Sequence, residues 1–318
     1  MAKYITYGSI LYDRVTRTDG SPEDVHIGGH SLYVLAGVRL FDKSCKMVEE
    51  VGEDFKDGFV PWLEANGIPT DGIRYVEEET PSTRMTFRDD GSYEAISMRA
   101  GPPFTYELGY LATKPWQIEM TLDQDTKAIY HHTFKPDRRI FRDMDEIRQK
   151  HGIQFMWEIM FPVYGSGDAA LDLEKFKYCA KIADMISLNK FEASVIYGIP
   201  EDNDEDMVDA IIRTGPEFCL YRVGKKGAYA ITGNNAIFCE SIDPFGPSVD
   251  PTGCGNNSTG AAMWAWCETK DPAFTLACAN VSAGYNAGQY GPWPVFRDED
   301  MAHALELSRE VAERIRKQ

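Results

Sequence analysis

The sequence lacks several features that would place the protein in a membrane or an oxidising compartment. The first residues, MAKYITYGSI, contain no apolar run followed by a small-residue cleavage site, so no signal peptide is expected. No apolar stretch approaches the roughly 20 residues that cross a bilayer. The seven cysteines are odd in number and include no Cys-x-x-Cys pair, which favours reduced thiols over disulfides or a zinc cage. We therefore expect a cytoplasmic protein.

Basic residues are few relative to acidic ones. Lysine and arginine number 33 against 50 aspartates and glutamates, which gives a formal net charge of −17. A surface this acidic repels nucleic acid and anionic membranes, so neither is expected as a partner. The one basic run, KPDRRIFRDMDEIRQK at residues 135–150, interleaves acidic residues with its arginines. We interpret it as the solvated face of a helix rather than a binding patch.

The sequence also lacks a phosphate loop of the Gly-x-x-x-x-Gly-Lys-Ser/Thr kind. A loose Gly-x-Gly-x-x-Ala match at residues 165–170 follows an apolar run, but Pro162 and Tyr164 separate it from the predicted strand. These letters indicate a surface loop better than a nucleotide site.

A second glycine-flanked turn, VDPTGCGNN at residues 249–257, opens directly into a helical pattern. The first N–H groups of a helix have no partner inside it, and the helix dipole favours an anion there. We therefore expect Gly253, Cys254 and Gly255 to present free N–H groups to an anion. The alternative is an ordinary cap that follows a glycine turn.

Apolar runs that read as strands alternate with helical patterns along most of the chain. This alternation predicts a doubly wound, mostly parallel α/β sheet flanked by helices. The predicted strands are YITYGS, KMVEEVG, AIYHHT, IQFMWEIM, DMISLN and EFCLYRVG. The helical patterns include EDFKDGFVPWLEANG, ALDLEKFKYCAKIAD and EDMVDAIIRTG, and the chain beyond Pro251 reads as helix. Ligands in such sheets bind beyond the carboxyl ends of the strands.

Two segments with a period of two interrupt this alternation. They are LYDRVTRTDGSPEDVHI and TRMTFRDDGSYEAISM, and the second contains the hairpin signal RDDGSY. We predict a single domain over residues 1–318, with a small β-sheet lid inserted at about 12–27 and 83–98. Two decorative hairpins are the alternative. An exposed edge of the small sheet could pair two subunits into a homodimer.

The turn VDPTGCGN with the following STGAAMWAW resembles the C-terminal signature Asp-Thr-x-Gly-Ala-Gly-Asp of the ribokinase-like (PfkB) carbohydrate kinases. Further segments resemble the family's motifs in the family's order, so that the resemblance spans residues 4 to about 290. It implies a ribokinase-like fold and ATP-dependent phosphorylation of a sugar or sugar-like small molecule. The resembling segments are YGSILYD, IGGHSLYVLAGVRLF, VGEDFKDGFVPWLEANGI, ISLNKFEASVIYG, YRVGKKGAYAIT and ACANVSAG.

The resemblance also implies an acceptor site and a phosphoryl-transfer site. Asp13, Gly28 and Gly29 match the motifs that contact sugar hydroxyls, and Tyr33 stands where the family usually carries a sugar-binding Asn. An aromatic ring there would shrink or flatten the pocket. The turn at Gly253, Cys254 and Gly255 would stabilise the charge of the transferred phosphoryl group, as an oxyanion hole does.

A nucleotide and metal site is implied by three further motifs. Asn189 and Glu192 match an Asn-x-x-Glu element that serves Mg²⁺ and phosphate, with Glu192 acting on the metal through water. Gly224 and Gly227 match the turn beside the nucleotide, and Asn280 lies where a late helix borders the adenine. The implied cofactors are ATP and Mg²⁺.

Asn256 is the main departure from the family pattern, because it occupies the position of the catalytic base Asp. An amide can orient a hydroxyl but cannot take its proton, so the expectation is a slow kinase. The alternative is a non-catalytic pseudokinase that binds nucleotide or sugar and acts as a sensor or regulatory partner. Glu158 also stands about where many relatives carry an Asp.

The remaining titratable residues leave their roles open. His131 and His132 end a predicted strand and could face the site, and His30 follows the Gly-Gly pair, but ordinary half-buried histidines explain all three. Arg99 follows the predicted hairpin and could meet an anionic substrate group. Cys254 stands at a helix start, which tends to lower the pKa of a thiol.

Overall fold

A computed structural model of the chain describes residues 1–17, 22–87, 93–97, 115–133, 137–159 and 173–318. The hairpin turn at 88–92, Arg99 and the glycine match at 165–170 lie outside the described residues. The strand–helix alternation read from the sequence recurs throughout the described ranges.

An eight-stranded sheet forms the centre of the molecule, in the order β14-β13-β12-β11-β10-β9-β1-β4. The strands from β4 to β12 pair in parallel, and β13 and β14 continue the sheet in antiparallel fashion. The predicted doubly wound, mostly parallel sheet is therefore confirmed. The strands are β1 (Tyr4–Tyr7), β4 (Cys45–Met47), β9 (Ala128–Thr133), β10 (Gln154–Ile159), β11 (Met185–Asn189), β12 (Phe218–Arg222), β13 (Gly227–Thr232) and β14 (Asn235–Glu240).

Helices cover both faces of this sheet because successive strand residues point to opposite sides. On β10, Phe155 and Trp157 pack with one helix layer, and Met156 packs with the other. The first layer contains α5 (Arg138–His151), α6 (Leu173–Ala180), α7 (Lys190–Tyr197) and α8 (Asp204–Thr214). The second contains α1 (His30–Arg39), α9 (Cys254–Thr269), α10 (Pro272–Ala287) and α11 (Asp298–Ile315). Among the described helices, none is both long and apolar enough to cross a membrane.

A separate four-stranded sheet has the order β3-β2-β7-β8, with β2 (Leu11–Arg17), β3 (Asp24–Gly28), β7 (Ser82–Phe87) and β8 (Tyr93–Ser97). Its two antiparallel pairs are β2 with β3 and β7 with β8, and β2 runs parallel to β7. The two segments with a period of two thus form one small sheet, as predicted, rather than two independent hairpins.

Two segments that the sequence predicts as single elements each form two elements in the structure. KMVEEVG splits into β4 and β5 (Glu49–Gly52), because the chain leaves the large sheet after Val48 and pairs with β6 (Ile73–Glu77) instead. EDFKDGFVPWLEANG splits into α2 (Phe55–Gly58) and α3 (Val60–Ala65), since Pro61 has no N–H to continue the first helix. A short helix, α4 (Pro115–Glu119), completes the described elements.

Candidate active site

The carboxyl edge of the large sheet carries a row of polar side chains. In register, His132 of β9 lies beside Glu158 of β10, and Asn189 of β11 lies beside Arg222 of β12. Because parallel strands all end at the same edge, these side chains converge at one place. The N-terminus of α9 meets the row there through a hydrogen bond from Asn256 to Glu158.

The turn before α9 begins at Gly253, whose φ of 77° lies in the left-handed region. The Asn257 N–H donates to the Gly253 carbonyl at 2.8 Å, which starts the helix. The Cys254 N–H donates to the Pro251 carbonyl at 3.2 Å, so the expectation that it is free for an anion is wrong. The N–H groups of Gly255 and Asn256 donate to no other described residue. The turn therefore offers these two donors at the positive end of the helix.

Arg222 lies directly against this turn. Its Nη1 would overlap a Cβ placed on Gly255, so only glycine permits this approach. The same nitrogen is 2.9 Å from Glu158 Oε1, and Nη2 is 3.7 Å from Glu192 Oε2. Sequence reasoning missed Arg222. The available signal was an arginine that closes the otherwise apolar strand FCLYR at the edge where ligands bind.

Glu158 is 1% exposed and is surrounded by donors. Its Oε2 accepts from the Tyr130 hydroxyl at 2.6 Å and from Asn256 Nδ2 at 2.9 Å. Its Oε1 lies 3.0 Å from the Thr259 hydroxyl and faces Arg222. Tyr130 and Thr259 were not singled out in the sequence. These contacts convert a buried charge, which would be costly alone, into a satisfied network.

The predicted acceptor residues lie on the other side of the turn. The ring of Tyr33, on α1, packs so closely on Gly253 that a Cβ there would overlap it. The Tyr33 hydroxyl lies near the Asp13 carboxylate but without full hydrogen-bond geometry. Gly28 ends β3 beside Asp13, and the Gly29 N–H points at the same carboxylate. The structure thus places Tyr33 on the turn, and Asp13 lies beside Tyr33 together with Gly28 and Gly29.

A second buried carboxylate, Asp250, lies close enough to Asp13 for its charge to act on that side chain. Asp250 Oδ1 accepts from the Thr252 N–H at 3.0 Å and from its hydroxyl at 2.7 Å, and Oδ2 is buried without a partner among the described residues. Burial, assisted by the Asp250 charge, raises the pKa of Asp13 to about 7. The Tyr33 hydroxyl and the Gly29 N–H act in the opposite direction.

Asn189 and Glu192 form the N-terminal capping box of α7. Asn189 Oδ1 accepts from the Glu192 N–H at 2.9 Å, and Glu192 Oε2 accepts from the Asn189 N–H at 2.6 Å. Burial raises the pKa of Glu192 to about 8, although the Arg222 charge lowers it. No group of three or more metal-ligating side chains (His, Cys, Asp or Glu) occurs within the described ranges. A single carboxylate suits Mg²⁺, which keeps several waters and shares phosphate oxygens.

The predicted nucleotide residues are more scattered. Gly224 and Gly227 bound a 3₁₀ turn between β12 and β13, and Val223 separates this turn from Arg222. Asn280 is buried on α10, where its Nδ2 donates to the Leu276 carbonyl of the same helix at 3.1 Å. One of the two N–H donors of the Asn280 amide is thus engaged by its own helix.

Burial holds His30, His131, His132 and Cys254 in their uncharged forms. His30 stacks on His132 with ring centroids 4.7 Å apart, and its Nδ1 is 2.9 Å from the Ser9 hydroxyl. Burial lowers the pKa of His30 to about 4, and the pKa values of His131 and His132 also fall. Burial raises the pKa of Cys254 to about 12, which overturns the expectation of a lowered value at a helix start.

The fold and the edge of the sheet together define a ribokinase-like protein. A family model described as "pfkB family carbohydrate kinase" matches residues 1–294. The chain belongs to this family of carbohydrate kinases. No curated protein sequence matched the chain.

Solved structures of the same fold cover nearly the whole chain. Adenosine kinase from Sinorhizobium meliloti is 15% identical, with a TM-score of 0.73 over 96% of this chain and 98% of its own. Ribokinase from Giardia lamblia is 18% identical, with a TM-score of 0.73 over 96% and 98%. Ribokinase from Arabidopsis thaliana, complexed with ribose and ATP, is 19% identical, with a TM-score of 0.70 over 96% and 99%. At these identities the likeness establishes the fold.

Proposed function

We propose that the protein is an ATP-dependent kinase that phosphorylates a hydroxyl of a sugar or sugar-like small molecule, such as a nucleoside. The observation that carries this proposal is the turn before α9, where two free N–H groups and the Arg222 guanidinium converge. Such a cluster of donors and positive charge suits the phosphoryl group in transit. Family membership and the ATP complex of the Arabidopsis ribokinase support the choice of nucleotide.

Transfer needs positioning more than covalent help from the protein. The bond from the γ-phosphorus to the bridging oxygen of ADP breaks, the bond from the acceptor oxygen forms, and the hydroxyl proton is released to solvent. In this proposal, Asp13 and the backbone at Gly29 hold the acceptor, and Tyr33 limits its size. Asn256 orients the attacking hydroxyl. Glu192 would hold Mg²⁺ through water, and the ion would offset the negative charge of the phosphates.

One observation favours a second function, a protein that binds without transferring phosphate. The side chain at the position of the family's base is the amide of Asn256, and the adjacent Glu158 already accepts from Tyr130 and Asn256 and pairs with Arg222. Neither group is placed to accept a proton. General-base help is worth on the order of 10²–10⁴-fold. A slow kinase and a nucleotide or sugar sensor therefore differ only in residual turnover.

Incubation with ATP, Mg²⁺ and a panel of pentoses, hexoses and nucleosides separates the two functions. We expect ADP formation that depends on at least one acceptor, together with an acceptor product heavier by one phosphoryl group. The rate should be on the order of 10²–10⁴-fold below that of a kinase with a positioned base. ATP binding without transfer to any acceptor would support the sensor and contradict the kinase.

Acceptor binding should depend on pH through Asp13. Its raised pKa of about 7 leaves the side chain neutral at pH 6 and ionised at pH 8. An ionised carboxylate accepts hydroxyl hydrogen bonds more strongly, so the acceptor KM should rise as the pH falls below about 7. Measuring KM from pH 5.5 to 8.5 for wild type and Asp13→Asn tests this. The variant should bind more weakly at pH 8 and lose the transition. A transition that persists in Asp13→Asn would assign it to another group.

The proposal also covers where the kinase is located and how it assembles. All seven cysteines are free, which suits a reducing compartment, and we place the kinase in the cytoplasm. The small sheet ends in the edge strands β3 and β8. An unpaired edge can recruit a second strand, so we propose that the small sheet serves as lid and as the surface for a homodimer.

A further inference from the structure

The carboxylate of Glu158 is enclosed by its neighbours. Tyr130 and Asn256 donate to Oε2, and Arg222 pairs with Oε1. The Thr259 hydroxyl lies 3.0 Å from Oε1 but has one proton, which it shares between Glu158 and the Gly255 carbonyl. Because Glu158 is only 1% exposed, a substrate hydroxyl does not reach it. Its effect on an acceptor must pass through the side chains that it holds.

Among those side chains, Asn256 is the one that stands on the turn. A carboxylate surrounded by donors can only accept, so the Asn256 amide must present its NH₂ group to Glu158. Its Oδ1 is then turned away from Glu158. The orientation of the amide is fixed by this contact of 2.9 Å rather than left to rotation.

We propose that Glu158 and Asn256 form a carboxylate–amide pair, in which Glu158 is a positioning residue and Asn256 Oδ1 receives the acceptor hydroxyl. This inference rests on the proposed kinase function. It gives a physical reason for a neutral side chain at position 256 when a glutamate, longer by one methylene than the Asp of many relatives, stands at 158 and contacts it. With Glu158 in place, an aspartate at that position would set two carboxylates in contact, and like charges at that distance are unfavourable. The negative charge sits on β10 and the neutral partner on α9.

The other charged groups around the pair support this arrangement. Arg222 of β12 neutralises Glu158, and Glu192 of α7 lies on the far side of the same guanidinium. From β9, Tyr130 remains a protonated donor because burial raises its pKa, and the Glu158 charge adds to the effect. His30 of α1 is uncharged near neutral pH, since burial lowers its pKa. One cation thus serves two carboxylates already, and a third would have no partner.

A double-mutant cycle tests the pair. Asn256→Asp alone should lower kcat about tenfold or more at pH 7.5, because the introduced carboxylate must share a proton with Glu158 or repel it. Glu158→Gln alone should also lower kcat, because the introduced amide no longer fixes the orientation of Asn256 as a carboxylate does. In the double variant, the introduced glutamine donates to the introduced aspartate. Its kcat should therefore be about tenfold higher than the value expected if the two single effects multiplied. Losses that simply multiply would overturn the inference.

A second measurement does not depend on activity. In Asn256→Asp, the pair holds a proton in the folded state that the unfolded chain loses above about pH 4. The folded state then binds more protons, so the stability of this variant relative to wild type falls as the pH rises. We expect its Tm deficit to widen from pH 5.5 to pH 8 by roughly 2–4 °C for each unit of raised pKa. The double variant restores the number of carboxylates, so its deficit should stay constant.

Together, the two measurements distinguish a failure of the Glu158–Asn256 pair from a failure of the proposed kinase function. If wild type turns over no acceptor but the Tm deficit widens only in Asn256→Asp, the pair stands and the kinase proposal falls. If the deficit is independent of pH in Asn256→Asp, or widens equally in the double variant, the pair is overturned whatever the activity.

Discussion

Gly255→Ala is expected to reduce phosphoryl transfer by roughly 10²–10³-fold, the range observed when an oxyanion-hole donor is lost. The added Cβ would overlap Arg222 Nη1, so the guanidinium must leave its place against the turn. Arg222 is flexible at its tip, but Glu158 holds that tip at 2.9 Å. Either the ion pair breaks or the turn shifts, and both outcomes displace donors that are proposed to bind the phosphoryl group. Steady-state kinetics with the accepted sugar or nucleoside, and ATP titration by calorimetry, measure the effect.

Gly152→Ala provides the matched control. Gly152 ends α5 in the left-handed conformation, and no atom lies within 4 Å of a Cβ placed on it. Its substitution should cost about 1 kcal/mol of stability through backbone strain and leave kcat unchanged. An unaltered rate in Gly255→Ala would remove the turn and Arg222 from the transfer step. A loss shared by both variants would point to general destabilisation.

The architecture was predictable because hydrophobic periodicity specifies it. The strands Gln154–Ile159 and Met185–Asn189 are buried on both faces, and the sequence displays this as largely apolar runs. The glycine turn at 253–255 was predictable for a related reason, since a left-handed residue before a helix requires glycine. Such local signals depend on a few neighbouring residues, which a sequence shows directly.

Contacts between distant strand ends were not predictable in this way. Glu158 lies 64 residues from Arg222 and 98 from Asn256, and only the parallel register brings them together. The engagement of the Cys254 N–H by Pro251 depends on the φ and ψ of a tight turn. The raised pKa of the Cys254 thiol comes chiefly from burial. Sequence reasoning identified the turn but not the charges that surround it.

Arg222→Met should produce the largest loss of stability. Arg222 and Glu158 have side chains only 12% and 1% exposed, so the substitution leaves Glu158 buried without its cation. Breaking a buried ion pair from one side typically costs about 3–5 kcal/mol. Urea denaturation at pH 7.5 measures the free energy of unfolding. The variant should recover stability as the pH is lowered, because the unpaired Glu158 then takes up a proton more readily.

Two further variants decide whether the buried charge is the cause. In Arg222→Met with Glu158→Gln, no unpaired charge remains, and we expect more than half of the lost stability to return. Arg213→Met breaks the exposed pair with Asp209, whose atoms are 4.0 Å apart and whose side chains are 69% and 62% exposed. Exposed pairs contribute at most about 1 kcal/mol, so the free energy of unfolding of this control should differ little from that of wild type. If Arg222→Met also left the free energy of unfolding unchanged, water or Tyr130 would have to satisfy the Glu158 carboxylate without the guanidinium. Arg222 would then be free to serve a bound phosphate alone, rather than dividing its charge between ligand and carboxylate.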